Sequence, residues 1–271
     1  MLPPVLIAPA FDAGTVWLVG AGPGDPGLLT LHALHALTQA EVVLHDALVP
    51  EAILALAPQA RLETVGKRAG GQRTPQLRIN QRLIALARQG ARVVRLKGGD
   101  PLIFGRGGEE ALALAAAGIA FRIVPGISAG IGGTAAAGIP LTHRGLGRSV
   151  AFATGHDSSG ALADLDWDAL GRGAEVLVLY MAGRQLAAIA ARLIAAGRGP
   201  AEPVALIQDA TRPAQSVRHT TLGEAAAVPA AAAPTLIVIG PVVALAASLA
   251  AWQQTTPMIV IHDQQPSRAR G

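Results

Sequence analysis

Four strand-like runs in the first half of the chain each break off into a glycine-rich or polar loop, and this repeated design restricts the fold more than any other feature. Thr15 to Val19 runs into GAGPGDPG, Glu41 to Leu44 into HDALVP, Ala91 to Leu96 into KGGDP, and Phe121 to Val124 into PGISAG. Apolar stretches with helical spacing lie between them: Leu28 to Leu37, Ile79 to Ala87 and Glu109 to Ala116. Short strands alternating with helices predict an α/β fold with a largely parallel sheet.

The second half looks different but keeps alternating. Ser149 to Ala153, Glu175 to Tyr180, Pro203 to Ile207 and Leu236 to Ile239 read as strands, and Gln185 to Ala196 as a helix. The polar, glycine-rich THRGLGR stretch from Thr142 to Arg148 reads as a linker. Two α/β domains are therefore expected, over residues 14–144 and 149–250. Residues 1–13 and 253–271 read as loosely held ends, and the alanine run at 230–233, flanked by prolines, as a loop.

Half of the 271 residues are hydrophobic, enough for a sizeable core, and cysteine is absent. Disulfides and Cys-ligated zinc or iron–sulfur sites are thereby excluded. The opening residues carry no Lys or Arg and are interrupted by prolines, a poor signal peptide, and no apolar run approaches the ~20 residues of a membrane span. A soluble cytoplasmic protein is expected. The formal net charge is +4, with Arg far outnumbering Lys, while aromatics make up only 3%. That balance argues against a base-stacking nucleic-acid platform. It leaves a solvated basic surface or a polyanionic small molecule as readings. His32 and His35 share a predicted helix, but no further ligands stand at metal-binding spacing, so no metal is expected.

Two loops carry the chemistry. Gly20-Ala21-Gly22-Pro23-Gly24-Asp25-Pro26 lies between a strand and a helix, where open α/β sheets bind ligands. A dinucleotide fingerprint would need glycine at 25, where Asp25 stands. The two prolines also remove N–H donors that a pyrophosphate would use. Asp25 before Pro26 reads equally well as a helix N-cap with proline at the first helical position. The second loop is Lys97-Gly98-Gly99-Asp100-Pro101, followed by Ile103-Phe104-Gly105-Arg106-Gly107. Its paired glycines let a ligand lie directly on the backbone. Asp100 suits an ammonium or ribose hydroxyl, or else caps a tight turn.

From about Thr15 to Val243 the chain resembles the uroporphyrinogen-III C-methyltransferase family. The matching segments are VWLVGAGPGDPGLLTL, VVLHDALV, VGKRAG, VVRLKGGDPLIFGRGGEE, VPGISAG, AGIPLTHRG, ATGH, LVLYMA and APTLIVIG. The resemblance implies two α/β domains with S-adenosylmethionine in the cleft between them, usually as a homodimer. It implies two successive methylations of uroporphyrinogen III, at ring carbons 2 and 7, to give precorrin-2 for sirohaem or cobalamin synthesis. The cofactor positions that transfer are Pro23, Gly98, Gly99, Asp100, Ile103, Ser128, Ala129, Met181, Ala210, Pro234 and Thr235. Ser128 and Ala129 stand where the family often has Thr-Ala, and Ala210 replaces the usual glycine. Asp46 and Lys67 fall on the family's proton-acceptor and proton-donor positions, with His45 where Tyr is common. Arg68, Arg106 and Arg144 are the expected holders of the substrate's carboxylate arms. Other readings are a later precorrin methyltransferase of cobalamin synthesis and a non-enzymatic nucleotide-binding module.

Overall fold

The computed structural model describes residues 8–65, 74–157, 159–230 and 234–250. Lys67, Arg68, the alanines at 231–233 and the stretch 253–271 lie outside the described residues. The first half runs β1 (Val16–Gly20), α1 (Leu31–Gln39), β2 (Val42–His45), α2 (Glu51–Leu54), β3 (Arg61–Thr64), α3 (Gln76–Arg88), β4 (Val93–Lys97), α4 (Gly107–Ala116), β5 (Phe121–Val124) and α5 (Ala129–Ala136). Its strands form one parallel sheet in the order β3-β2-β4-β1-β5. Parallel sheets are covered on both faces, and β1 and β4 are buried throughout. Trp17 and Val19 meet Ala33, Ala36 and Leu37 of α1 on one face, while Val16 and Leu18 meet Leu83 and Leu86 of α3 on the other. The sidedness follows from the two-residue period of a strand. Helix α1 starts where the Thr30 hydroxyl accepts from the Ala33 N–H at 3.1 Å, an N-cap typically worth ~1 kcal/mol.

The second half contains β6 (Val150–Thr154), α6 (Trp167–Gly173), β7 (Val176–Tyr180), α7 (Leu186–Ala195), β8 (Pro203–Gln208), β9 (Ser216–Thr221), β10 (Thr235–Ile239) and α8 (Leu245–Ala250). Its sheet is ordered β6-β7-β10-β8-β9. Only β6 and β7 pair in parallel; β10 is antiparallel to both neighbours, and β8 to β9. The expected strand–helix alternation therefore fails after β8, where a hairpin replaces the crossover. Strands β3 and β9 escaped the sequence reading because RLET and SVRHTT lack an apolar face. Both are edge strands, and neither has a buried residue.

Helix α5 sits between the two halves, packing against β7 and β10 of the second sheet. Its sequence, AGIGGTAA, spends helix propensity, since each interior glycine costs ~1 kcal/mol relative to alanine. Close approach explains the cost. A Cβ at Gly132 would lie 2.9 Å from Pro23 Cγ, and one at Gly133 2.8 Å from Ala210 Cβ. One at Gly130 would run into the Tyr180 hydroxyl. Small residues let this helix touch the first glycine loop and the second half of the chain at once.

The expected linker is a tight turn rather than a loose connection. The His143 N–H donates to the Gly147 carbonyl at 2.8 Å, and the Gly147 N–H returns the bond at 3.0 Å. Ile139, Leu141 and Leu146 already belong to the second core. The described part of the N-terminal end is also held: the buried Phe11 ring stacks on Trp17 at 4.5 Å, and His35 Nε2 meets the Pro9 carbonyl at 3.2 Å.

Candidate functional site

The two glycine loops leave the C-terminal ends of β1 and β4 and are tied by backbone. Gly99 N–H donates to the Gly22 carbonyl at 2.7 Å, and Gly22 N–H to the Gly99 carbonyl at 3.2 Å. Gly99 has φ +67°, a left-handed conformation natural to glycine. Gly126, after β5, packs against the same backbone, where a Cβ would lie 2.8 Å from Gly20 Cα and also strike the Gly99 carbonyl. Asp100 braces the assembly: Oδ1 accepts from Leu102 N–H at 2.8 Å and Oδ2 from Gly126 N–H at 3.1 Å. Asp25 is indeed a cap, accepting from Gly27 N–H at 2.8 Å ahead of a short 3-10 turn that begins with Pro26.

Above these loops lies a cavity of about 280 Å³ closed by the second half of the chain. Pro23, Gly98, Gly99, Asp100, Ile103, Ser128 and Ala129 line it from one side, and Met181, Ala210, Pro234 and Thr235 from the other. Asp46 lines it too. Residues that the sequence reading did not single out as contacts complete the wall: Leu48, Phe104, Tyr180, Ile207 and Arg212. Four of the five described non-glycine residues with left-handed backbone lie in this lining or beside it in the chain, with Phe104 at φ 51°, Met181 at 55°, and Asp209 at 47° and Thr211 at 65° on either side of Ala210. Such conformations cost ~1–3 kcal/mol each and persist where the surroundings dictate them.

Tyr180 closes the wall at the end of β7. Its hydroxyl lies 2.5 Å from Ser128 Oγ and accepts from Gly130 N–H at 2.8 Å, and its ring meets Phe104 at 4.9 Å. Burial holds the phenol above its ordinary pKa, so it works as a neutral hydrogen-bonding group. Further bonds join the halves. Asp25 N–H donates to Thr211 Oγ1 at 3.1 Å, and the Arg212 guanidinium donates to the Leu48 carbonyl.

Behind Asp46 stands a buried ionic cluster. Arg95, in the middle of β4, donates through Nη2 to Asp46 Oδ1 at 2.5 Å and through Nε to Glu110 Oε1 at 2.9 Å. Lys97 Nζ reaches the same Glu110 oxygen at 3.2 Å, and Gln76 Nε2 at 3.0 Å. Burial alone would pull the Arg95 guanidinium down, but Asp46 and Glu110 outweigh it and hold the pKa above its ordinary value. Lys97 is pushed the other way, by burial first and by Arg95 second. A charged residue inside the strand-like run VVRLK was the signal for this cluster, because a buried charge requires a partner.

Of the expected substrate-binding arginines, Arg106 and Arg144 do not line the cavity, and Arg68 lies outside the described residues. Arg106, with left-handed backbone at the start of α4, is exposed and forms a two-pronged pair with Glu109 at 2.8 and 2.7 Å. Arg144 is exposed on the His143–Gly147 turn. Among the described residues, no group of three or more His, Asp or Glu is placed to hold a metal ion. No described helix is long and apolar enough to cross a membrane. A wider hollow of about 720 Å³ opens around Arg148, Arg172, Glu175 and Arg198, but none of the loop residues above lines it.

Comparison with known proteins matches residues 15–226 to the family described as Tetrapyrrole (Corrin/Porphyrin) Methylases. A uroporphyrinogen-III C-methyltransferase from a Sinorhizobium species is 57% identical over 246 residues, covering 89% of this chain and 88% of that one. A siroheme synthase of Neisseria meningitidis serogroup B is 52% identical over 241 residues, covering 88% of this chain but only 50% of the relative. The chain thus spans about half the length of such synthases. Among solved structures, the uroporphyrin-III C-methyltransferase of Thermus thermophilus complexed with S-adenosyl homocysteine superposes with a TM-score of 0.76 at 42% identity. That match covers 85% of this chain and 99% of that one.

Proposed function

Because the chain belongs to the tetrapyrrole methylase family, we propose that it transfers methyl groups from S-adenosylmethionine to carbons 2 and 7 of uroporphyrinogen III, giving precorrin-2. The observation that carries the reading is the shared cavity. Pro23, the Gly98–Asp100 loop, Ile103, Ser128, Ala129, Met181, Ala210, Pro234 and Thr235 come from separate segments and line one space. The chemistry of that lining suits the methyl donor: glycine backbone and the Asp100 carboxylate for its cationic, hydrogen-bonding parts, and Ile103, Met181 and Ile207 for its base.

Bound S-adenosylmethionine supplies an electrophilic methyl group, whose C–S electron pair returns to sulfur as the pyrrole carbon forms its new bond. The protein's task is alignment, and positioning alone is worth roughly 7–11 kcal/mol of barrier. The tight Gly20–Gly99–Gly126 backbone contact and the strained Met181 fix the walls that set this alignment. The alkylated ring is cationic and must lose a proton, which the Asp46 carboxylate accepts. Lys67 is assigned the opposite transfer, as proton donor. Arg68, Arg106 and Arg144 hold the acetate and propionate arms, Arg106 by exchanging Glu109 for a substrate carboxylate.

The division into domains 14–144 and 149–250 is proposed on the two sheets, whose nearest strands fall on either side of residues 145–148. On the family resemblance, a cytoplasmic homodimer is proposed as the working form, which light scattering of the purified protein tests. The activity itself is tested by mass spectrometry after incubation with uroporphyrinogen III and S-adenosylmethionine. A product carrying two added methyl groups is expected, and unmodified substrate would remove the assignment.

A further inference from the structure

We infer that Arg95, backed by Glu110, is a positioning residue that fixes the Asp46 carboxylate for proton transfer, an inference that rests on the methyltransferase reading above. The geometry makes Arg95 costly unless it has such a task. It lies at the centre of the parallel sheet, opposite Leu44 of β2 and Leu18 of β1, and only 2% of its side chain is exposed. A well-packed apolar residue at such a position is often neutral or stabilising relative to a buried ion pair. Packing therefore gives no reason for a guanidinium here.

Each part of that guanidinium is engaged. Nε is held by Glu110, and Nη1 donates to the Leu96 carbonyl at 3.2 Å and the Leu44 carbonyl at 3.5 Å. Only Nη2 points outward, to Asp46 Oδ1. A planar fork fixed on two sides delivers its third bond in one direction. Asp46 is the partly exposed member of the cluster, with 34% of its side chain accessible, and it lines the cavity. With Oδ1 fixed by Arg95, Oδ2 has no hydrogen-bond partner among the described residues and is the oxygen open to the ring proton. Glu110 is fully buried and gathers Arg95, Lys97 and Gln76 on Oε1, leaving Oε2 without a partner. It supplies the negative charge that lets a guanidinium occupy the sheet interior. Lys97 and Glu110 thus balance and anchor Arg95, which alone of the three reaches the cavity-lining carboxylate.

A double-mutant cycle on the full chain tests this. Uroporphyrinogen III turnover is measured for the wild type, Asp46→Asn, Arg95→Met and the double variant, with S-adenosylhomocysteine affinity measured by calorimetry on each. Loss of a positioned base costs ~10²-fold or more in kcat, so Asp46→Asn should show about that loss. Arg95→Met should lose about tenfold or more, with cofactor affinity held within about twofold. If Arg95 acts through Asp46, the double variant is no slower than Asp46→Asn alone, as for residues that work as a unit. Losses that multiply, or an unchanged kcat in folded Arg95→Met, overturn the inference. Should Arg95→Met fail to fold by circular dichroism, Glu110→Gln, which keeps side-chain size and an acceptor at Oε1, enters the same cycle with the same criteria. A wild type without methylated product would sink the methyltransferase reading instead, so the two failures are distinguishable.

Discussion

Gly126→Ala should destabilise the protein severely although alanine is the smallest possible change. The added Cβ would sit 2.8 Å from Gly20 Cα and 2.9 Å from Gly20 C, and against the Gly99 carbonyl as well. All three are backbone atoms at the ends of parallel strands, so no flexible side chain can swing aside. Overpacking of this kind costs ~1–3 kcal/mol. Displacing Gly126 also endangers its N–H bond to Asp100 Oδ2, and a bond to a charged acceptor is worth ~1.5–3 kcal/mol. Together the loss is roughly 2.5–6 kcal/mol, against total stabilities of ~5–15 kcal/mol. At roughly 2–3 °C per kcal/mol for a chain of this size, the melting temperature should fall by about 5–18 °C. S-adenosylhomocysteine binding should weaken in parallel, because the same backbone carries Gly99. Gly108→Ala is the control: a Cβ there meets nothing within 4 Å, and the position is helical. Scanning calorimetry with and without ligand decides the matter. A Gly126→Ala melting temperature within about 2 °C of the wild type would refute the reasoning, since relaxation would then have absorbed the contact.

Gly99→Val should abolish S-adenosylhomocysteine binding, because a β-branched residue is strained at φ +67° on the cavity floor; wild-type affinity by calorimetry in a folded variant would remove Gly99 from the site. Lys97, held below its ordinary pKa of 10.5 by burial and by Arg95, binds its proton less tightly folded than unfolded. Stability should therefore rise with pH from that depressed value up to 10.5, and Lys97→Met should flatten the rise; equal slopes in urea titrations of both proteins would contradict this. Raising salt past physiological levels, where the Debye length is ~8 Å, should increase the Michaelis constant for the polyanionic tetrapyrrole and leave cofactor affinity nearly constant. Arg106→Ala should raise the same constant and flatten its salt dependence in steady-state kinetics; a tetrapyrrole constant indifferent to salt would argue against arginine-based recognition.

Much of this protein was legible in the residues. The runs into GAGPGDPG and KGGDP identified the strand ends that bear the loops, because glycine tolerates left-handed backbone and close approach whatever surrounds it. Asp25 in place of a glycine was enough to reject a dinucleotide fingerprint, and its capping role follows from the proline beside it. The buried faces of α1 and α3 follow from helical periodicity, a local property. Other features required the folded chain. Strands β3 and β9 carry no apolar face and exist because a neighbouring strand offers hydrogen bonds. The antiparallel course of β8, β9 and β10 is a matter of pairing between segments, which local spacing does not encode. The glycines of α5 read as helix-weakening until Pro23, Ala210 and Tyr180 stand against them. Arg95, Glu110 and Asp46 are spread over 65 positions of the chain and become one cluster only when β2, β4 and α4 are packed side by side. Sequence fixes what each backbone segment tolerates, since that depends on neighbours along the chain; which charges meet depends on neighbours in space, and only the tertiary structure decides those.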